Sequence, residues 1–235
     1  MKFKARTTAP SNNSKYWRHT SVGGVNSCIH IKNGSCLPNC VGYAWGRFYE
    51  IMGSKPKLSR NNAEDWYGYD DGYKRGKHPR LGAVPCWRKG KVGVHADGAG
   101  HVAIVEKIKE DGSIVISESG YNSFRFRTRT LKPPYSIGSA YTFQGFIYNP
   151  EVPKATYYGK FPTLPERGYF KDGDSGLQVK YLQKFLNWFG EDLSEDGALG
   201  PKTVAAVKQF QKERGLAQDG LFGKDSLEEA KKVKN

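Results

Sequence analysis

Leu37-Pro38-Asn39-Cys40-Val41-Gly42-Tyr43-Ala44-Trp45-Gly46 reads as a loop running into a helix, with a cysteine in the first helical turn. Asn39 is a favoured helix N-cap, because its side-chain oxygen can accept from backbone N–H groups that lack an intrahelical partner. After it, Val41, Ala44, Trp45, Phe48, Ile51 and Met52 recur at spacings of three and four, the pattern of an amphipathic helix. Cys40 then occupies the turn where unpaired N–H groups and the positive end of the helix dipole favour an anion. The same position also suits a buried, inert thiol. The remainder of the chain has to decide between a nucleophile and a packing residue.

Downstream the pattern changes from helical to extended. Residues 82–87 form a short extended run, and 101–108 read as a strand entered through Gly98-Ala99-Gly100, three small residues that leave room for a ligand or a partner side chain. Asp111-Gly112 is a tight-turn dipeptide. Further strands are expected at 113–117, 124–129 and 143–148. Helices first and an antiparallel sheet afterwards define an α+β domain.

The hairpin sets up a geometric test for His101. With Asp111-Gly112 as a two-residue turn, His101 faces Asn122 and Val105 faces Glu118. With a four-residue loop, Glu118 faces Ala103. In either register His101, Glu118 and Asn122 share one face of the sheet, unless a bulge breaks the alternation. A carboxylate or amide beside the imidazole fixes its tautomer and stabilises its cation. His101 is therefore the candidate base for Cys40, with Glu118 or Asn122 as its orienting partner. The backbone N–H of Cys40 is a candidate oxyanion donor, and Asn39 is either a second donor or simply the cap. Together these residues imply a candidate cysteine hydrolase acting on a carbonyl.

Composition bounds the alternatives. The chain has 235 residues, 37% hydrophobic and 26% charged, with a formal net charge of +14. The charge is uneven: residues 1–165 hold 25 Lys+Arg against 11 Asp+Glu, whereas residues 166–235 hold 12 of each. A basic first part implies a polyanionic surface nearby, nucleic acid or an anionic cell wall. No recognition helix, zinc finger or RNA-binding signature is present, so composition does not choose between the two; a nucleic-acid binder rests on charge alone, and no nucleic-acid partner is expected. No run of about eighteen apolar residues exists, so no membrane insertion is expected. The start, Met1-Lys2-Phe3-Lys4-Ala5-Arg6, has no apolar run behind it, and no secretory signal is expected. The four cysteines, Cys28, Cys36, Cys40 and Cys86, contain no Cys-x-x-Cys pair, and five histidines accompany them. No metal or other cofactor is expected, and a Cys28–Cys36 disulfide is left open.

Residues 150–167 carry four prolines among polar residues and read as a semi-stiff linker between a domain at 1–149 and a module at 168–235. The module contains an internal repeat. Val179, Leu182, Gln183 and Leu186 form one stripe, and Val204, Val207, Phe210 and Gln211 form another. Each is followed by Asp-Gly-x-x-Gly, at Asp196–Gly200 and again at Asp219–Gly223. Pro201 opens a helix, and a last one is expected from Asp225 or Ser226 to about Lys232. Three short helices then make a small all-α bundle.

The ordered stretches at 39–47, 79–87, 100–106 and 116–118 resemble the CHAP family of cysteine- and histidine-dependent amidohydrolases/peptidases. The resemblance covers about residues 15–148. It implies a papain-like α+β fold that cleaves amide bonds in bacterial peptidoglycan, with Cys40 as nucleophile, His101 as base, Glu118 as third member and Asn122 as auxiliary orienter. Some relatives bind calcium through acids just before the cysteine. Here Ile31-Lys32-Asn33-Gly34-Ser35-Cys36-Leu37 holds no acid, so no calcium site carries over. Residues 168–235 resemble the small helical peptidoglycan-binding domain of wall hydrolases. The combination is similar to a bacteriophage endolysin, held in the host cytoplasm until a holin releases it to a Gram-positive wall. An N-acetylmuramoyl-L-alanine amidase or a wall-peptide endopeptidase is implied. The rival is a non-catalytic wall binder with a degenerate hydrolase domain.

Overall fold

Asn39 caps the helix that the sequence places after it. Its Oδ1 accepts from the N–H groups of Val41 at 2.9 Å and Gly42 at 3.3 Å, a cap of the kind that stabilises a helix by about 1 kcal/mol. The helix, α1, spans Cys40–Met52 and ends at Gly53, whose left-handed φ of 72° lets its N–H bond to Tyr49 O. The computed structural model describes residues 3–11, 14–19, 28–29, 34–89, 100–109, 111–152, 157 and 159–233. Met1, Lys2, Gly98, Ala99, Ile31–Asn33 and the linker positions 153–156 and 158, all used above, lie outside the described residues.

The chain divides into two units, Met1–Pro153 and Lys154–Asn235. In the first, strands β1 (Trp17–His19) and β2 (Ser35–Leu37) pair in parallel ahead of α1. Cys28 and Cys36 form a disulfide there. Beyond a 3-10 turn at Ala63–Asp65 come β3 (Arg75–Gly76), β4 (Val84–Lys89), β5 (His101–Val102), β6 (Ile104–Ile108), β7 (Ile114–Glu118), β8 (Arg127–Leu131) and β9 (Tyr141–Ile147). They build a four-stranded sheet, β3-β9-β4-β5, and a three-stranded sheet, β6-β7-β8, with every pairing antiparallel.

This is an α+β unit, with one difference from expectation. Among the described residues a single α-helix precedes the sheets, where several were expected. The remaining N-terminal segment uses the parallel β1–β2 pair and the 3-10 turn instead. That pair packs tightly on α1, which explains the two helical glycines. A Cβ at Gly42 would overlap the Cys36 carbonyl oxygen, and one at Gly46 would overlap the Trp17 indole. Trp17 Nε1 also donates to Tyr43 O at 3.2 Å. Around this contact Trp17, Leu37, Tyr43, Phe48 and Trp66 form the core, each at 2% exposure or less; burying such a side chain contributes roughly 1.5–3 kcal/mol.

The run expected as one strand from residue 101 to 108 is divided between the sheets at Ala103. β5 pairs with β4, with Trp87 opposite His101, whereas β6 pairs with β7. The β6–β7 register matches the four-residue-loop alternative at Ile104↔Ser117 and Val105↔Ile116, then slips by one residue at Lys107↔Val115. The bulge falls at Glu106 and turns its carboxylate inward, 2% exposed. The third strand begins at Arg127, three residues later than expected. Gly120 N donates to Phe124 O and Ser123 N to Gly120 O, which closes residues 120–124 into a loop.

In the second unit α2 spans Leu177–Phe189, α3 Pro201–Glu213 and α4 Lys224–Lys232, with Pro201 opening α3. Their core contains Leu182, Phe185, Val207, Phe210 and Phe222, each at 0% exposure. Part of the stretch expected as a linker joins that core: Tyr157 is 5% exposed and packs with Phe161 against Phe185. The repeat has a polar logic. Gln183 takes Gly197 N–H on Oε1 and gives Nε2 to Asp196 and Ala198 O. Gln211 does the same with Gly220, Asp219 and Leu221. Each buried glutamine staples one Asp-Gly turn to its helix, and Gly197 and Gly220 take the same φ of 79°.

Candidate active site

Cys40 heads α1, is 8% exposed and lines a groove of about 930 Å³. His101 and Asn39 line the same groove. The His101 ring bonds through Nε2 to Glu118 Oε2 at 2.6 Å, and the Cys40 side chain is close enough to the ring to favour its charged form. Nδ1 is thereby left as the ring nitrogen for the thiol. Burial alone would push the imidazole pKa down. The hydrogen bonds and charges of Cys40 and Glu118 outweigh it and raise His101 from 6.5 to about 9.

Glu118 is fully buried, and burial would raise its pKa. His101, then Arg127 and Arg129, reverse that and hold the carboxyl down at about 2. Arg127 Nε donates to Oε1 at 2.6 Å, and Arg129 Nη2 donates to Oε2 at 3.1 Å. Arg127 sits directly across from Glu118 in the β7–β8 ladder, and Arg129 follows two residues later on the same face. An anionic carboxylate is thus fixed on an imidazole that touches a thiol. That arrangement can draw the thiol proton, hold the imidazolium and return the proton to a leaving group.

Asn39 faces both tasks expected of it. Oδ1 is held by the cap, so the side-chain NH2 is the donor that remains. Its backbone N–H donates to Ser119 Oγ at 3.1 Å, and Ser119 Oγ donates to Phe124 O at 3.0 Å, tying the head of α1 to the end of β7. Asn122 is not brought to this group. It lies exposed in the β7–β8 loop with a φ of 50°, and its contacts with His101 or Glu118 are absent among the described hydrogen bonds. The shared-face argument fails for it because β7 ends at Glu118 and the chain leaves the sheet.

Behind the thiol is a second polar cluster that the sequence reading missed. Arg47 grips Glu106 through Nε and Nη2, both at 2.9 Å. Ser117 Oγ donates to Glu106 at 2.7 Å, and Tyr43 OH donates to Ser117 at 2.8 Å. Tyr43 and Arg47 are one and two turns along α1 from Cys40, so the cluster locks the helix to β6 and β7. Spacing of four between Tyr43 and Arg47 was the available signal, although nothing in the sequence points to the bulge that supplies Glu106. Arg127 and Arg129 were legible as a period-two pair, but only with the β7–β8 register in hand. Cys86, the other free cysteine, is fully buried, and burial pushes its pKa up, which leaves it a packing thiol. Among the described residues no group of three or more His, Cys, Asp or Glu is placed to hold a metal ion. No described helix is long and apolar enough to cross a membrane.

Comparison with known proteins gives this architecture a class. Residues 30–120 match the CHAP domain, and residues 175–228 match the putative peptidoglycan binding domain. The chain carries a CHAP domain followed in sequence by a peptidoglycan-binding domain. Among curated relatives, it is 50% identical over 56 residues to the N-acetylmuramoyl-L-alanine amidase CwlL of Bacillus licheniformis, covering 23% of this chain and 16% of that protein. It is 29% identical over 126 residues to the probable autolysin SsaALP of Staphylococcus aureus, covering 53% of this chain and 44% of the relative. Among solved structures it is similar to the endolysin of Burkholderia AP3 phage, at 35% identity, 26% of this chain, 24% of that one and a TM-score of 0.26. The chain spans less than half the length of the curated relatives it matches.

Proposed function

We propose that this chain is a peptidoglycan hydrolase of the endolysin type. It cleaves an amide bond of the bacterial cell wall through a cysteine nucleophile, as an N-acetylmuramoyl-L-alanine amidase or a wall-peptide endopeptidase. The observation that carries this reading is the chain of contacts from the Cys40 thiol through the His101 ring to the buried Glu118 carboxylate, at the head of α1 inside a groove. The CHAP match and the amidase and autolysin relatives support the substrate class. A helix presenting the thiol against an antiparallel sheet presenting the imidazole supports a papain-like catalytic unit.

In the first step His101 holds the proton taken from Cys40, and the thiolate attacks the substrate carbonyl carbon. The Cys40 N–H and the Asn39 side-chain NH2 stabilise the developing oxyanion. The imidazolium protonates the leaving amine as the C–N bond breaks, which leaves a thioester. His101 then takes a proton from water, hydroxide attacks the thioester, and the thiolate departs with the acid product released. Glu118 stays ionised throughout and keeps the imidazole oriented. The second unit holds the enzyme on the insoluble wall and raises its effective concentration there.

Cys40→Ala and His101→Ala should each abolish wall lysis while binding to purified wall persists. Full lysis by either variant would overturn the catalytic assignment. Mass spectrometry of the wild-type digest identifies the bond. A new N-terminal alanine on an intact stem peptide means amidase, and a split stem or cross-bridge means endopeptidase.

A further inference from the structure

The groove over Cys40 has mainly positive walls. Arg60, Lys89, Arg127 and Arg129 line it, and among the described residues Asp65 is the one carboxylate that does so. Glu118 lies beneath and is shared by His101, Arg127 and Arg129, so its single charge does not balance those three groups. The arginines are placed for a further contact. Arg127 rests with Cζ 4.0 Å over the Phe124 ring and its side chain is 49% exposed, so Nε is held on Glu118 while other donors of the fork reach solvent. Arg60 donates through one Nη2 to Ile29 O at 3.2 Å. A neutral peptide laid in this groove would leave excess positive charge between low-dielectric walls, whereas an anion would complete it. A guanidinium fork matches a carboxylate with two parallel hydrogen bonds.

Resting on the hydrolase reading above, we propose that the groove selects wall peptides that carry a free carboxylate beside the scissile amide, with Arg60 and the outer edge of Arg127 as its receptors. Substrates in which that carboxylate is a carboxamide lose the contact and strand the two guanidinium groups. Amidation of the wall peptide then acts as a chemical label that the enzyme reads. Arg127 joins the two halves of the site, since the same guanidinium holds the carboxylate that orients His101.

The test uses the full chain and two synthetic cross-linked muramoyl peptides, which carry both the muramoyl–alanine amide and the stem and cross-bridge bonds and differ only in one carboxylate replaced by its carboxamide. The carboxylate peptide should be cut with kcat/KM about ten-fold higher at low ionic strength, a preference that shrinks as salt rises. Arg60→Gln should reduce the ratio to roughly three-fold or less, and Arg60→Lys should keep most of it, which separates lost charge from a disturbed loop. A wild-type ratio near one with both peptides cut, together with equal competition by a soluble glycerol-phosphate polymer, assigns the charge to polymer phosphate and overturns the proposal. The hydrolase reading survives that outcome. Failure to cut either peptide overturns the hydrolase reading as well.

Discussion

Replacing Glu118 with Gln removes the charge from the His101 partner and keeps its shape. The Glu118–His101 bond is 2.6 Å long and its carboxylate is fully buried. A hydrogen bond to a charged group of this kind contributes about 1.5–3 kcal/mol, which corresponds to about one to two pKa units on the imidazole. His101 is raised to about 9 in the native protein, and the Cys40 contribution to that shift remains in the variant. The variant imidazolium should therefore lose its proton near pH 7–8, about one to two units lower. The group must be protonated to release the amine, so the alkaline limb of kcat/KM should move down by that amount. At pH 9, where the native imidazole is half protonated, the rate should fall about 5- to 50-fold, and below pH 6 it should fall far less. Hydrolysis of a soluble cross-linked muropeptide, followed across pH by released amine, measures this. Circular dichroism establishes that the variant is folded, and Arg127 and Arg129 can still donate to the Gln oxygen. A folded variant whose alkaline limb stays where the native one lies would refute the claim that Glu118 acts on His101 through its charge.

The same carboxylate governs acid stability. Its pKa is depressed from 4.5 to about 2 on folding, so its stabilisation is present above about 4.5 and disappears as pH falls toward 2. Urea midpoints taken between those pH values should decline in the native protein and decline less in Glu118→Gln. Glu106→Ala leaves the buried Arg47 with Glu50 as its carboxylate and the Lys4 carbonyl as a neutral acceptor, and should cost roughly 3 kcal/mol in urea unfolding, at the low end for breaking a buried pair; a loss below 1 kcal/mol would show that the cluster is incidental. Gln211→Leu leaves the buried Gly220 N–H without its acceptor and removes the donor to Leu221 O, at about 1–3 kcal/mol, while the exposed Asp219 keeps the Leu221 N–H. It should weaken retention on purified wall and spare cleavage of a soluble peptide, and unchanged retention would separate the second Asp-Gly turn from the wall-binding surface.

The parts legible in the sequence were those set by local chemistry. Asn39 announces a cap by its residue type, Pro201 a helix start, and the two Asp-Gly-x-x-Gly turns a repeat, because each acts within a few residues. The approximate strands were legible from alternation, although their ends were not. Phe124-Arg125-Phe126 alternates like a strand, yet the Gly120–Phe124 turn bonds capture it first. Glu118 could be linked with His101 because one of the two registers considered nearly holds. Asn122 was carried along by extending the alternation past the end of β7, where it no longer applies. The Glu106 bulge and the division of the 101–108 run at Ala103 depend on which sheet each half meets, and a single strand pattern carries no record of that. The double engagement of Glu118 by two arginines followed from the same missing register.

The register of β7 is what joins the catalytic group to its support. Ser117 and Glu118 are neighbours on one strand, so their side chains leave on opposite sides. Ser117 receives Tyr43 and donates to Glu106, which fixes the helix that carries Cys40. Glu118 receives His101, Arg127 and Arg129, which fixes the base. A slip of one residue would exchange the two positions, placing a hydroxyl under the imidazole and a carboxylate against Tyr43 and Glu106. That alternative buries two carboxylates together and leaves two arginines unpaired, so it is strongly disfavoured. The polar clusters on the two sides of β7 therefore specify the same register, and that register sets the distance between thiol and imidazole. It follows that a change on the Ser117 side, remote from the groove, acts on the geometry of the groove through the strand itself.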